Sequence, residues 1–264
     1  GARRAENELS IILKVKTASQ ETSIEQQIQL VEDMIAEKVD AIVIAPGDSQ
    51  RLIPALKKAT DAGIKVVNID NRLDQEAVKQ AGLKPIPFIS VDNEAGAYKV
   101  GKYLVNGITS LTELAIIEGI RSADNAMQRA KGARRAFAEN KQIKVVASET
   151  ANWKIDEAYN MTKEIFVKHP DVKLMFAAND MMAIGASKYL QETGRTQVKV
   201  AGYDALEEAL TEIKSGRLYA TVDQQAAEQG YQGIALANRL AHGSNVPEVT
   251  LIDTRLITAA KTTP

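Results

Sequence analysis

Short apolar runs alternate with segments of helical spacing along almost the whole chain. The run DAIVIAP at 40–46 is continuously apolar and is closed by a proline, as expected of a buried strand. Just before it, Ile24, Ile28 and Val31 recur every three or four residues, which is the pattern of an amphipathic helix. Alternation of buried strands and helices predicts parallel sheets with helices on both faces.

The same pattern continues to the end of the chain. Strands are predicted at 9–15, 40–46, 64–70, 87–92, 113–118, 143–148, 173–177, 198–202, 218–222 and about 249–257. Helices are predicted at about 23–38, 51–63, 94–105, 125–139, 155–168, 181–193, 205–215 and 226–241. The pattern restarts after residue 105, which favours an α/β fold with two doubly wound parallel-sheet lobes. A single eight-fold barrel is the alternative.

The beginning of the chain departs from that pattern. Residues 2–9 have helical spacing but follow no strand, whereas a doubly wound lobe normally begins with a strand near the centre of its sheet. An empty central place would cost about 1–3 kcal/mol for each unpaired buried backbone group. We therefore expect a strand from outside this numbering, or from another chain, between the first two predicted strands.

Composition narrows the class of protein. The 264 residues are 45% hydrophobic and 25% charged, with a formal net charge of −1, which is ordinary for a globular chain with an ample core. The lysines are scattered and form no basic stripe, so nucleic acid is not expected as a partner. Cysteine is absent, which excludes disulfides, thiolate metal sites and cysteine nucleophiles.

Polar residues stand where the predicted strands end. They are Asp70 and Asn71, Arg129 after the strand at 113–118, Trp153 after the strand at 143–148, Asn179 and Asp180, Tyr203 and Asp204, and Asp223 and Gln224. The carboxyl ends of the strands are where open α/β sheets bind ligands. Carboxylates, amides and a guanidinium can pair with hydroxyl groups, and an aromatic face can cover the C–H side of a sugar ring.

The stretch AANDMMAIGA places two of these residues side by side between an apolar strand and a helix. One of them is enough to cap the helix. We assign the cap to Asp180 and leave Asn179 as a ligand contact.

Each of these residues also has a purely structural interpretation. Asp70 and Asp204 could cap turns, Arg129 could pair with Asp124 or Asp180, and Trp153 could belong to the core. The joint placement of the residues at one edge favours a ligand site, because independent structural roles would scatter them over both ends of the strands.

Catalytic machinery is hard to find in the sequence. His169 and His242 both lie at predicted helix ends, where an imidazolium suits the helix dipole. We find no metal-binding histidine spacing, nucleophile elbow, Walker loop or G-x-G-x-x-G motif. The sequence therefore favours binding over turnover, with no enzyme activity, no cofactor and no metal expected.

Several longer segments resemble a known family. The segments KVDAIVIAP, AGIKVVNID, VDNEAGAYKVGKYL, HPDVKLMFAANDMMAIGA and VAGYDALEEALTEIKSGRLYATVDQ are similar to those of ribose-type periplasmic sugar-binding proteins of ABC importers. The resemblance covers essentially the whole chain. Related cores occur in LacI-type repressors, which usually carry a P-x-D element that GRTQVKVAGYD lacks, and a DNA-binding headpiece.

The resemblance implies the type I periplasmic binding protein fold, with two lobes joined by a three-segment hinge. The N-terminal lobe would comprise 1–91 plus 225–252, and the C-terminal lobe 92–224 plus 253–264. The ligand cleft would lie between them, and hinge closure would enclose the ligand. The family's first strand has no counterpart in this numbering.

The resemblance also implies a set of ligand-binding residues. They are Asp70, Asn71, Arg129, Trp153, Asn179, Tyr203, Asp204 and Gln224. Among them, Trp153 matches an aromatic that stacks on the sugar. Asn71 stands where ribose binders have arginine, which puts ribose itself in doubt.

The implied function is high-affinity binding of a neutral monosaccharide or polyol, of pentose, hexose or inositol type, for delivery to the membrane permease of an ABC importer. The protein would be periplasmic, or lipid-anchored and extracellular in a Gram-positive cell, and monomeric. The alternatives are the sugar-sensing effector core of a LacI-type regulator, which would need a DNA-binding segment and a stable dimer, and a carbohydrate enzyme, which would need a base near the cleft.

Overall fold

The computed structural model describes residues 1–261. The strands are β1 (Ala41–Ile44), β2 (Lys65–Ile69), β3 (Phe88–Val91), β4 (Thr112–Glu118), β5 (Ile143–Thr150), β6 (Leu174–Ala177), β7 (Lys199–Ala201), β8 (Ala220–Asp223), β9 (Val249–Ile252) and β10 (Arg255–Thr258). The helices are α1 (Ala2–Leu9), α2 (Ile24–Ala36), α3 (Ile53–Asp61), α4 (Gln75–Gln80), α5 (Asn93–Leu104), α6 (Asp124–Ala138), α7 (Ile155–Lys168), α8 (Asp180–Glu192), α9 (Glu207–Lys214) and α10 (Ala226–Ala241). A short 3-10 helix covers Ala259–Lys261.

The chain divides into two compact units, each with its own sheet. Unit 1 comprises Gly1–Val91, Ser122–Asp124 and Gln225–Ile252, and unit 2 comprises Asp92–Arg121, Asn125–Gln224 and the chain from Asp253 onward. Unit 1 has a parallel sheet in the order β1-β2-β3-β9. Two separate open sheets confirm the predicted α/β class and exclude the barrel.

The sheet of unit 1 is covered on both faces, as the alternation of its side chains requires. Ile42 on β1 and Val66 on β2 point to the face that is packed by α2 and α3. Their neighbours Val43 and Val67 point to the opposite face, where they pack with Leu236 of α10.

Unit 2 has a six-stranded sheet in the order β10-β8-β7-β6-β4-β5. All pairs in it are parallel except β10 with β8, which are antiparallel. Strand β6 and residues 114–117 of β4 are apolar and buried, and Ile116 pairs with Phe176 between the two strands. Because neighbouring parallel strands end at the same edge, this sheet brings the residues that follow β6, β7 and β8 together.

The predicted strand at 9–15 is wrong. Helix α1 extends to Leu9, Ser10 adopts a left-handed conformation, and residues 11–18 have no regular structure. Ile12 is 92% exposed. The physical reason is that a strand needs a hydrogen-bonded neighbour, and within residues 1–261 β1 pairs only with β2. Residues 9–15 do not pair with β1, and the strand expected from outside this numbering or from another chain stays a prediction.

Two further elements differ from the sequence prediction. The last predicted strand, near 249–257, is two strands that belong to different sheets, β9 and β10. The short helix α4 was not predicted, and the side chain of Asp74 caps it by accepting a hydrogen bond from the Ala77 backbone. Within residues 1–261, no helix combines the length and the apolar character that a bilayer crossing demands.

Candidate functional site

Arg129 is the centre of the candidate site in unit 2. It lies on α6 and is only 2% exposed, so its charge must be paired and hydrogen-bonded. Nε donates to Asn93 Oδ1 at 2.9 Å, and Nη1 donates to the carbonyl oxygen of Ala178 at 2.9 Å. These two contacts leave the other edge of the guanidinium directed towards residues at the strand ends.

Asp204 and Gln224 complete a closed network with Arg129. Arg129 Nη1 lies 3.3 Å from Asp204 Oδ1, and Nη2 lies 3.3 Å from Gln224 Oε1. Gln224 Nε2 in turn donates to Asp204 Oδ1 at 2.6 Å. The network forms because Asp204 follows β7, Gln224 follows β8, and these strands are parallel neighbours. Arg129 forms its ion pair with Asp204, and not with Asp124 or Asp180, the two partners that the sequence also suggested.

The backbone at Asp204 is held in a rarely populated conformation. Its φ angle is 122° and that of Ala205 is 57°, which are costly values for residues with a side chain. The Asp204 N–H is fixed by the carbonyl oxygen of Val222 at 2.8 Å. Strain of this kind clusters at binding sites, where the surrounding structure holds it in place.

Two aromatic rings lie against Arg129. The Tyr203 ring centroid is 3.9 Å from Arg129 Cζ, which is a cation–π arrangement. Tyr203 is fully buried, so its position is that of a support beneath the guanidinium. The Trp153 ring centroid is 5.6 Å from the same atom, and its indole packs over Gly119.

The assignment of the helix cap to Asp180 is wrong, because Asn179 caps α8. Asn179 is extended, with φ −147° and ψ 168°, and its Oδ1 accepts from the Met182 N–H at 2.9 Å. Its Nδ2 also donates to the carbonyl oxygen of Trp153 at 3.4 Å. Asn179 is therefore linked to the backbone beneath the indole as well as to the helix.

Asp180 is the first residue of α8, and its side chain turns into the interior. Its carboxyl group accepts from Thr221 Oγ1 at 2.7 Å and from the Leu206 N–H at 2.9 Å. Burial raises the pKa of Asp180 to about 7, against the opposing effects of these hydrogen bonds and of the Arg129 charge. This carboxyl group ties α8 to the loop after β7.

The remaining two predicted residues lie in unit 1. Asp70 follows β2 in a left-handed conformation with φ 61°, and its carbonyl oxygen accepts from Ser90 Oγ at 2.7 Å. Asn71 is only 2% exposed, and its Nδ2 donates to the carbonyl oxygen of Pro46 at 2.8 Å. Asn71 thus ties the loop after β2 to the loop after β1, which is a structural role that the sequence did not indicate.

Of the eight predicted residues, five lie together in unit 2: Arg129 is at the centre, and the other four contact it, namely Trp153, Tyr203, Asp204 and Gln224. Asn179 joins them through Trp153. Asn93 and Gly119 were missed. Asp92 and Asn93 form a polar pair at the end of the predicted strand 87–92, the same signal that singled out Asn179 and Asp180, so Asn93 could have been found. Residues 1–261 hold no group of three or more acidic or histidine side chains placed to bind a metal ion.

Comparisons with known proteins agree on one family. A family model described as a periplasmic binding protein domain matches residues 1–245. The D-ribose/D-allose-binding protein of Pseudomonas aeruginosa is 44% identical over 224 residues, which are 84% of this chain and 70% of that protein. The D-allose-binding periplasmic protein of Escherichia coli is 30% identical, with 95% and 83% covered.

Solved structures give the same result. An ABC transporter periplasmic solute-binding protein from Actinobacillus succinogenes with bound D-allose has a TM-score of 0.93 and 39% identity, over 99% of this chain and 91% of that one. A solute-binding protein from Burkholderia multivorans has a TM-score of 0.92 and 37% identity, over 97% and 92%.

Proposed function

This chain belongs to the periplasmic binding protein family, whose members here are solute-binding proteins of ABC importers and not enzymes, and on that premise we propose that it binds a neutral monosaccharide or polyol. The permease of an ABC importer is the membrane partner that such a protein serves. The observation that carries the proposal is the network of Arg129, Asp204 and Gln224 beside Trp153.

The chemistry of this network suits hydroxyl groups. The charges of Arg129 and Asp204 compensate each other, so a neutral ligand can approach without leaving a buried charge unpaired. Asp204 and Gln224 are partly exposed, and a carboxylate and an amide can accept and donate with adjacent hydroxyls. The indole of Trp153 offers an apolar face to the C–H side of a ring.

Among neutral sugars, D-allose is the first candidate and D-ribose the second. The similar protein of Pseudomonas aeruginosa is named for both sugars, and the similar structure from Actinobacillus succinogenes holds D-allose.

A thermal-shift screen followed by calorimetry tests the proposal. A sugar at 100 times its dissociation constant stabilises the folded protein by about 2.7 kcal/mol. We expect the melting temperature to rise with D-allose or D-ribose and to stay unchanged with sucrose. No response across pentoses, hexoses, inositols and polyols would contradict it.

Lobe closure, the oligomeric state and the cellular location of the protein are each tested by a separate measurement. Closure of two lobes on the ligand predicts a smaller radius of gyration in X-ray scattering with sugar than without it. A monomer without affinity for nucleic acid is checked by light scattering with and without duplex DNA. A periplasmic or lipid-anchored location is checked by fractionating cells that express the protein from its own gene.

A further inference from the structure

We propose that the first turn of α5, through Asn93, positions the guanidinium of Arg129 for ligand binding. Asn93 is thus a positioning residue, which acts on the sugar through Arg129. The effect on sugar binding rests on the proposed function. The orientation of Arg129 by Asn93 does not depend on any ligand.

The side chain of Asn93 does not have to cap α5, because Asp92 is the N-cap of that helix. The Asp92 side chain accepts from the Ala95 N–H at 2.8 Å. Asn93 is buried, and its Oδ1 accepts from Arg129 Nε at 2.9 Å. A hydrogen bond to a charged partner in a dry setting is stronger than one between neutral groups.

Nε links Cδ of the side chain to Cζ, which carries Nη1 and Nη2, so a hydrogen bond to Nε limits the rotation of the guanidinium plane. Asn93 holds Nε, and the carbonyl oxygen of Ala178 holds Nη1. Two fixed nitrogens of a planar group determine its orientation. Nη2 is then aimed at Gln224 and Nη1 at Asp204, the two residues that we assign to the ligand.

The packing of α6 against this turn is tight enough to set the Arg129 position closely. A Cβ on Gly132, three residues after Arg129 on the same face of α6, would lie 2.0 Å from the carbonyl oxygen of Glu94. A Cβ on Gly96 would lie 2.4 Å from the hydroxyl oxygen of Tyr203, whose ring supports Arg129. The first turn of α5 therefore contacts both Arg129 and the ring beneath it.

The only tryptophan of the chain provides a readout without any ligand. Trp153 is the single Trp, and its ring centroid is 5.6 Å from Arg129 Cζ. A shift of the guanidinium changes the charge near the indole. We expect Asn93→Ala to shift the Trp153 emission of the sugar-free protein and to weaken binding of D-allose about ten-fold or more.

The conservative variant separates positioning from folding. Asn93→Asp keeps an acceptor for Arg129 Nε. We therefore expect the Trp153 emission maximum to match that of the parent protein and the affinity for D-allose to stay within about three-fold of the parent value. Asn160→Ala, an exposed asparagine on α7, is the matched control and should change neither. Equal losses in Asn93→Ala and Asn93→Asp would overturn the proposal.

A double-mutant cycle gives the decisive test. If Asn93 acts through Arg129, adding Asn93→Ala to Arg129→Ala should change neither the emission nor the affinity further. Additive effects, or an Asn93→Ala variant with unchanged emission, would overturn the proposal. If no sugar binds the parent protein, the proposed function fails, and the emission cycle still decides the positioning of Arg129.

Discussion

Gly119 lies directly against the indole of Trp153. A Cβ added to Gly119 would fall 2.1 Å from Trp153 Cη2, closer than two unbonded carbon atoms can approach. The absence of a side chain at the end of β4 is therefore what allows the indole to occupy its place beside Arg129. This contact joins a strand end to the aromatic face of the candidate site.

Gly119→Ala should displace the indole and weaken sugar binding. Overpacking of this kind costs about 1–3 kcal/mol, and we expect a change in Trp153 emission together with a loss of affinity in calorimetry. Gly230→Ala is the matched control, because a Cβ there meets no atom closer than 3.5 Å and alanine favours a helix interior. Unchanged emission in Gly119→Ala would contradict the placement of Trp153.

Asp204→Ala should weaken sugar binding by about 1.5–3 kcal/mol, because charged hydrogen bonds are lost. The variant also leaves the buried charge of Arg129 without its ion-pair partner, so a drop in melting temperature is expected as well. Calorimetry with D-allose measures the effect. Asp171→Ala, which changes an exposed aspartate, should bind as the parent does, and equal affinity of both variants would refute the assignment.

Asn179→Ala should lower the free energy of unfolding by about 0.5–2 kcal/mol, since Asn179 caps α8. Asn179→Asp keeps a capping oxygen, so chemical denaturation should find it close to the parent protein. If both variants unfold alike and below the parent, the loss comes from the contact with the Trp153 carbonyl and not from the cap.

Asp180 predicts a pH dependence of stability. Its pKa is raised from 3.8 to about 7 in the folded protein by burial, so the folded state holds a proton that the unfolded state releases above about pH 4. The stabilisation is complete below that pH and is lost as the pH rises through about 7, by an amount on the order of a few kcal/mol. The nearby charge of Arg129 opposes the shift.

Asp180→Asn provides the test, because an amide can accept from the Leu206 N–H and donate to Thr221 in the same place. Denaturant unfolding of both proteins between pH 4 and 8 should show stability falling with pH more steeply in the parent than in the variant. Parallel curves would show that Asp180 is ionised throughout this range.

The sequence predicts that Arg129, Asp204 and Gln224 lie together because parallel strands end at one edge, and the structure places them in one network; their contact with a ligand stays a prediction. The sequence does not determine which of Asn179 and Asp180 caps the helix, since the backbone torsion of Asn179 decides this. It fails at residues 9–15 because a hydrogen-bonded neighbour, and not apolar character alone, makes a strand. Its place at a strand end could have indicated Asn93, but its partner Arg129 follows only from the packing of α5 against α6.

The last prediction concerns the charge of the ligand. Asp204 offsets the charge of Arg129 in unit 2, so an anionic ligand would find no uncompensated positive charge there and would face the partly exposed carboxylate of Asp204. Desolvating like charges is costly, and we expect D-ribose 5-phosphate to bind more weakly than D-ribose. Calorimetry at low and high salt measures the affinities of both ligands. Salt screens the repulsion between solvent-exposed charges, so the difference between the two affinities should be smaller at high salt. A phosphate that binds more tightly than its parent sugar would contradict a neutral ligand and would point to Arg129 as an anion-binding group.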